Sequence, residues 1–238
     1  MTQIYAHRGY SALFAENTMT AFKEAEKAGA DGFEIDVQLT KDEEIVVIHD
    51  EKVNRTTDGT GFVKDISYKD IRKLNANKKA KKKEPIPSLN EVLEWMCSNK
   101  LVCNIELKNG IIPYEGMEAK VIQLVRKYNL MDRIVISSFN HYSIVHSYRL
   151  APDIETAPLF NERLYMPWVY AQSIRAKGIH PKYLSISDEI IADTLKNGIA
   201  VGPYTVNREA DMKRLMRLNC TAIITDDPVK ALRIRKQL

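Results

Sequence analysis

The sequence predicts an α/β protein built as a (β/α)8 barrel, with a small insertion after the second barrel strand. Three observations lead there. Short β-branched or apolar runs alternate with amphipathic segments from one end of the chain to the other, the pattern of a parallel sheet covered by helices. The runs that read as strands number eight, at residues 3–6, 32–37, 101–107, 133–137, 155–159, 178–180, 199–204 and 222–225, which is the strand count of the closed barrel. The 238 residues also match the roughly 200–250 over which such barrels form one domain.

Helix signals fill the gaps. Asn17 stands as an N-cap ahead of Met19, Phe22, Ala25 and Ala28, and Gly29 stops that helix. Asp188 precedes Ile190, Ile191, Thr194 and Leu195, with Gly198 ending the run. Residues 208–218 and 227–236 read as the last two helices. One stretch breaks the alternation. Between residues 37 and 101 come a second β-like run at 44–49, a Gly-rich turn at 58–61 and a short helix near 68–74. A lysine-rich run at 77–83 follows, and Ile86-Pro87-Ser88-Leu89 leads into a helix at 90–96. Connections in α/β units usually take about 2–6 residues. Residues 50–85 are therefore expected to form a small insertion at the barrel mouth, within a single domain spanning 1–238.

A chain that is 45% hydrophobic and 28% charged is ordinary for a soluble protein. Its 35 basic and 31 acidic residues leave a formal charge of +4, too mild to argue for nucleic acid but tolerant of an anionic substrate. The run 77–83 could touch acidic lipid head groups, yet reads better as a solvated loop. Cys97, Cys103 and Cys220 form no Cys-x-x-Cys pair and leave an odd number, so neither a disulfide framework nor a zinc site is expected. No stretch approaches the roughly 20 apolar residues of a membrane span. No stable membrane insertion follows, and a polar residue arrives too early for a signal-peptide core, so a cytoplasmic location is expected. Nothing in the sequence signals an oligomeric state.

Chemistry enters with Glu34 and Asp36. Two residues apart on a strand, they point to one face while Ile35 and Val37 point to the other. Two like charges in an apolar strand drive one acid toward protonation unless a cation lies between them. Glu106 repeats the pattern, with Lys108 on its face. Singly, each acid reads as a strand-end salt-bridge partner. As a set of three carboxylates without His or Cys, they make an all-oxygen site suited to Mg²⁺ or Ca²⁺. His7 and His49 each end an apolar run, and residues at the C-terminal ends of barrel strands build active sites. Imidazole, with an unperturbed pKa of about 6.5, suits proton transfer near neutrality. His141 and His146 lie five apart on an expected helix, on different faces, and His180 reads as a strand-end residue. All three are expected to be structural.

The motifs follow a recognisable order. His7-Arg8-Gly9, Glu16-Asn17-Thr18, Glu34-x-Asp36, His49-Asp50 and Arg55-Thr56-Thr57-x-Gly59-x-Gly61 come first. Ile86-Pro87-Ser88-Leu89-x-Glu91-Val92-Leu93, Glu106-x-Lys108, Ser138-Phe139, Tyr204-Thr205-Val206-Asn207 and Thr225-Asp226-x-Pro228 complete the series. Each piece alone is common. Together they resemble the glycerophosphodiester phosphodiesterase family over residues 4–228. The resemblance implies a TIM barrel with an insertion after the second strand, a divalent cation, and hydrolysis of small-molecule glycerophosphodiesters to sn-glycerol 3-phosphate and an alcohol.

Carried over position by position, it implies Glu34, Asp36 and Glu106 as metal ligands and His7 and His49 as the acid-base pair. Arg8, Lys108, Glu16 and Tyr204 become the substrate-binding residues. The sequence departs from the family pattern at Ala15, where Pro is frequent, and at Tyr204, where Trp is common. The family also suggests the substrate's glycerol 2-hydroxyl as nucleophile, giving a cyclic phosphate that water opens. Two other readings share this sequence. One is lysophospholipase D-like hydrolysis, with residues 166–170 rimming an acyl groove; the other is a phosphodiester-binding barrel without turnover.

Overall fold

Alternating strands and helices roll up in the order expected. In the computed structural model, which describes residues 1–77 and 83–238, the chain begins with β1 (Gln3–His7), α1 (Met19–Ala28), β2 (Gly32–Leu39) and β3 (Ile45–Val47). Then come α2 (Tyr68–Ile71), α3 (Leu89–Met96), β4 (Val102–Leu107), α4 (Met117–Lys127) and β5 (Ile134–Ser138). Next are α5 (His141–Leu150), β6 (Glu155–Phe160), α6 (Pro167–Ser173), β7 (Gly178–Pro181) and α7 (Asp188–Lys196). The chain closes with β8 (Ala200–Val201), α8 (Glu209–Arg217), β9 (Ala222–Thr225) and α9 (Pro228–Arg235). Residues 78–82, most of the lysine-rich run, lie outside the described residues.

Eight of these strands are parallel neighbours in the order β8-β7-β6-β5-β4-β2-β1-β9. The ends of that row meet where the chain beyond β8 bonds to β9. Ile224 N donates to Pro203 O at 3.0 Å and Val206 N to Ile224 O at 2.8 Å. The result is a nearly closed barrel with helices between its strands. β8 is shorter than the expected 199–204 because Gly202-Pro203 interrupts it, and proline has no N–H to give a ladder. Pairing resumes at one parallel bridge, Lys182 with Tyr204.

The β-like run near residue 45 is a hairpin arm rather than a barrel strand. β3 pairs antiparallel with the far end of β2, Val37 opposite Val47 and Leu39 opposite Ile45. Beyond it, Val46, Ile48, Val53, Val63, Ile71, Ala76 and Ile86 form a small apolar core of their own. The main core lies between strands and helices, as period-2 alternation requires. Phe33, Ile35 and Val37 belong to one cluster with Phe22 of α1 and Leu89, Val92 and Leu93 of α3. The Phe22 and Phe33 rings lie 5.1 Å apart. α3 starts with a capping box, in which the Ser88 and Glu91 side chains each bond the other residue's backbone N–H.

Two expected helix caps shift by one residue. Thr18, not Asn17, caps α1, its hydroxyl accepting from Ala21 N. Ser187, not Asp188, caps α7, which leaves Asp188 in the first turn. Asn17 is diverted into the left-handed region at φ 55°, and its side chain works elsewhere. Met166 to Tyr170 begin α6, with Trp168 turned into the core. These residues form a helix start, as the loop-and-helix reading of 166–170 has it.

Candidate active site

β2 and β4 lie side by side with Asp36 opposite Glu106 and Glu34 opposite Asn104. That register, with strand alternation, brings Glu34, Asp36 and Glu106 together on the barrel's inner face. One carboxylate oxygen from each lies within 4.8 Å of the others. Glu34 is 2% exposed and Asp36 1%. Burial, and then the charges of Asp36 and Glu106, push the Glu34 carboxyl well above the usual carboxylate range. Burial and Asp36 likewise raise Glu106. Burial also acts upward on Asp36, but Arg8, His49 and Lys108 outweigh it and hold that group below its ordinary value.

The cluster has the chemistry of a cation site. Glu34 Oε1 and Asp36 Oδ1 are buried without a hydrogen-bond partner, an arrangement costing about 1–3 kcal/mol per group, more when charged. Three hard oxygen donors, two of them in need of a partner, fit a divalent cation of the Mg²⁺ or Ca²⁺ kind. Asn17 completes the arrangement. Its Nδ2 donates to Asp36 Oδ2 at 2.8 Å while its Oδ1 accepts from Asp36 N at 3.4 Å.

Two cationic side chains flank the acids. Arg8 sits in the left-handed region at φ 57°, directly after β1. Its backbone N donates to Glu34 Oε2 at 2.9 Å, Nε lies 3.3 Å from Asp36 Oδ2, and Nη1 donates to Glu16 Oε1 at 2.8 Å. The next residue must be glycine. At Gly9, with φ 79°, a Cβ would meet the Ala21 backbone at 2.7 Å. Lys108 Nζ donates to Glu106 Oε1 at 2.8 Å and lies 3.9 Å from Asp36 Oδ1 and 3.2 Å from His49 Nε2.

Each histidine has an aspartate on its Nδ1. His7 Nδ1 lies 2.6 Å from Asp226 Oδ1, which leaves Nε2 4.0 Å from Glu34 Oε2. Asp226 is itself held by Asn207 Nδ2 at 2.6 Å and Ser11 Oγ at 3.1 Å. Burial pushes the Asp226 carboxyl up, but the bonds from His7, Asn207 and Ser11 bring it below the usual range. His49 Nδ1 lies 2.7 Å from Asp50 Oδ1. Its carbonyl accepts from Gln38 Nε2 at 2.9 Å, and Gln38 Oε1 accepts from Tyr114 Oη at 2.9 Å. His49 thus reaches the site from the loop after β3. His7 ends a barrel strand, whereas His49 follows the β-like run that stands apart from the eight barrel strands.

Glu16 faces two guanidinium groups, those of Arg8 and Arg55. Tyr204 donates to Phe160 O at 3.2 Å and Asn161 Oδ1 at 3.1 Å, and its ring meets Phe139 edge to face at 6.0 Å. Beside Glu16 and Arg55 opens a cavity of about 540 Å³, walled by Leu13, Phe14, Ala76 and Asn77. His141 is structural, with Nδ1 2.7 Å from Tyr170 Oη and Nε2 2.8 Å from Leu159 O. His180 lies within β7, its pKa pushed down to about 4 by burial. The sequence reading gave no role in the site to Asp50, Asp226, Asn207, Arg55 or Gln38, and read Asn17 only as a helix cap. All but Gln38 stood in the motif series, and each acts through a hydrogen bond that only the fold creates.

The glycerophosphoryl diester phosphodiesterase family model matches residues 7–230. A glycerophosphodiester phosphodiesterase of Caldanaerobacter subterraneus subsp. tengcongensis is 46% identical over 230 residues, covering 95% of each chain. One from Bacillus altitudinis is 40% identical over 244 residues and covers 100% of both. Among solved structures, an Oleispira antarctica phosphodiesterase in complex with the product sn-glycerol-3-phosphate superposes with a TM-score of 0.91. It is 27% identical and covers 99% of this chain and 97% of its own.

Proposed function

Because the chain belongs to the glycerophosphoryl diester phosphodiesterase family and hydrolyses glycerophosphodiesters to sn-glycerol 3-phosphate and an alcohol, we propose a division of labour among its residues. Glu34, Asp36 and Glu106 hold a divalent cation, Mg²⁺ or Ca²⁺. His7 and His49 transfer protons. Arg8 and Lys108 bind the phosphate, Glu16 holds Arg8 toward it, and Tyr204 with Phe139 walls the organic part of the substrate. The single observation that carries this reading is the convergence of three carboxylates, two buried and one partly buried, within 4.8 Å, two of their oxygens unpartnered, beside two Nδ1-anchored imidazoles.

A phosphodiester is a monoanion that resists a second anion, so its charge must first be offset. Arg8 and Lys108 supply positive charge beside the cluster. When bound, the cation adds Lewis-acid polarisation of a phosphoryl oxygen. One histidine takes the proton of the substrate's glycerol 2-hydroxyl through Nε2, and that oxygen forms the new P–O bond. The other protonates the departing alkoxide as its P–O bond breaks. Their roles then reverse as water opens the cyclic phosphate. The adjacent hydroxyl gains from proximity as any intramolecular group does. Aspartates on Nδ1 keep each Nε2 aimed inward and favour the imidazolium form when it arises.

Residues 50–77 and 83–85 belong to an insertion at the mouth of one barrel domain under this reading. No helix among the described residues is long and apolar enough to cross a membrane, and a cytoplasmic location is proposed with a soluble substrate. The test has two arms. His49→Ala should lower kcat by about 10² to 10⁴ in a folded protein. Chelation should abolish glycerol 3-phosphate release, and Mg²⁺ or Ca²⁺ should restore it. Near-normal turnover of folded His49→Ala would remove the acid-base assignment, and full activity in excess EDTA would remove the cation.

A further inference from the structure

We propose that Arg55 is a positioning residue for the hydrolysis, acting through Asp50 on the imidazole of His49. The inference rests on reading His49 as one of the two proton-transfer groups. Arg55 grips two carboxylates from separate loops. Its Nε and Nη2 donate to Asp50 Oδ2 and Oδ1 at 2.6 and 2.9 Å. Its Nη1 and Nη2 donate to Glu16 Oε2 and Oε1 at 2.7 and 2.8 Å. An exposed ion pair alone contributes about 0–1 kcal/mol, and the Arg55 side chain is 48% exposed. Paired forks in a network add to that, but local stability alone is a poor reason for a fork that ends on the hydrogen-bond partner of His49.

Orientation is a better one. The His49 backbone is already fixed by Gln38, so the remaining freedom is rotation of the ring. Asp50 is the hydrogen-bond partner of Nδ1, and it is 28% exposed. An aspartate at the surface turns freely unless its two oxygens are held together. The planar guanidinium holds both at once, and Glu16, through its own paired bonds, fixes the plane of that guanidinium. Glu16 is anchored in turn by Arg8. The chain Glu16 to Arg55 to Asp50 to His49 sets the ring by three successive contacts, two of them bidentate. A lysine at position 55 would keep the charge but could not supply the two-sided fork.

The test uses Arg55→Lys and Asp50→Asn, singly and combined, beside His49→Ala, with sn-glycero-3-phosphocholine and Mg²⁺. A misplacement of about 1 Å can cost on the order of 10²-fold. Arg55→Lys should therefore lower kcat by about 10- to 100-fold with little change in KM. The double variant should be no slower than Asp50→Asn alone, because Arg55 acts through Asp50. A hydrogen-bonded Nδ1 proton of His49 should give a downfield NMR resonance in the wild type that broadens in Arg55→Lys. If Arg55→Lys does not fold, Arg55→Gln takes its place in the same cycle. Wild-type kcat in a folded position-55 variant, or losses that multiply in the double variant, would overturn the proposal while an inactive His49→Ala left the catalytic reading standing. Near-normal turnover of His49→Ala would remove both.

Discussion

Replacing Asp226 by Asn isolates what a carboxylate behind His7 contributes. The side chain keeps its size and can still meet Asn207 and Ser11, but it loses its charge. The bond to His7 Nδ1 is 2.6 Å long in the wild type, at or just below the length of charge-assisted N–H···O hydrogen bonds. Such bonds contribute about 1.5–3 kcal/mol against about 0.5–1.5 for neutral ones. The difference, about 1–1.5 kcal/mol, applies in the transition state, where the imidazole carries charge. At about 1.4 kcal/mol per factor of ten, kcat should fall about 5- to 12-fold at neutral pH, with KM nearly unchanged. The assay is steady-state release of glycerol 3-phosphate.

A stability readout accompanies it. The Asp226 carboxyl is held below its unfolded value of about 3.9. Its contribution to stability is thus present above that pH and lost as pH falls through the depressed folded value. The Tm difference between wild type and Asp226→Asn should accordingly shrink in acid. Unchanged kcat in a folded variant would refute the view that Asp226 supports a charged His7.

Cation affinity should rise with pH, because the raised Glu34 carboxyl keeps its proton longer and the cation must displace it. Calorimetry in buffers of different ionisation enthalpy should report the released proton, and an affinity indifferent to pH would exclude that exchange. Asn17→Ala, which frees Asp36, should weaken cation binding by about 10- to 100-fold, the effect of losing a partner that orients a ligand, as measured by titration without substrate. Phe22→Ala, at a fully buried position against Phe33, should cost about 3–5 kcal/mol. That corresponds to a Tm about 6–20 °C lower, with normal turnover per folded molecule at low temperature.

Much of this protein is written locally. Period-2 alternation in Phe33-Glu34-Ile35-Asp36-Val37 announces both a strand and two acids on one face, because successive side chains on a strand must point opposite ways. The eight barrel strands are legible as short β-branched or apolar runs set between amphipathic segments. Caps are legible to within a residue: whether Asn17 or Thr18 caps α1 depends on what else Asn17 can reach, and it reaches Asp36. The run at residue 45 is visibly β-like, yet nothing in it says that it turns back antiparallel on β2 and delivers His49 from outside the barrel.

Pairings across the fold were beyond reach. His7 and Asp226 are 219 residues apart, and Glu16 and Arg55 are 39 apart. Each pair depends on which loops a closed barrel gathers at one rim. Local sequence therefore determined the strands, the helices and the identity of the acids and imidazoles, since these follow from side-chain chemistry and backbone period. Only the tertiary structure decided which oxygen lies on which nitrogen, because hydrogen bonds of under 3 Å are set by ring closure and loop convergence, not by spacing along the chain.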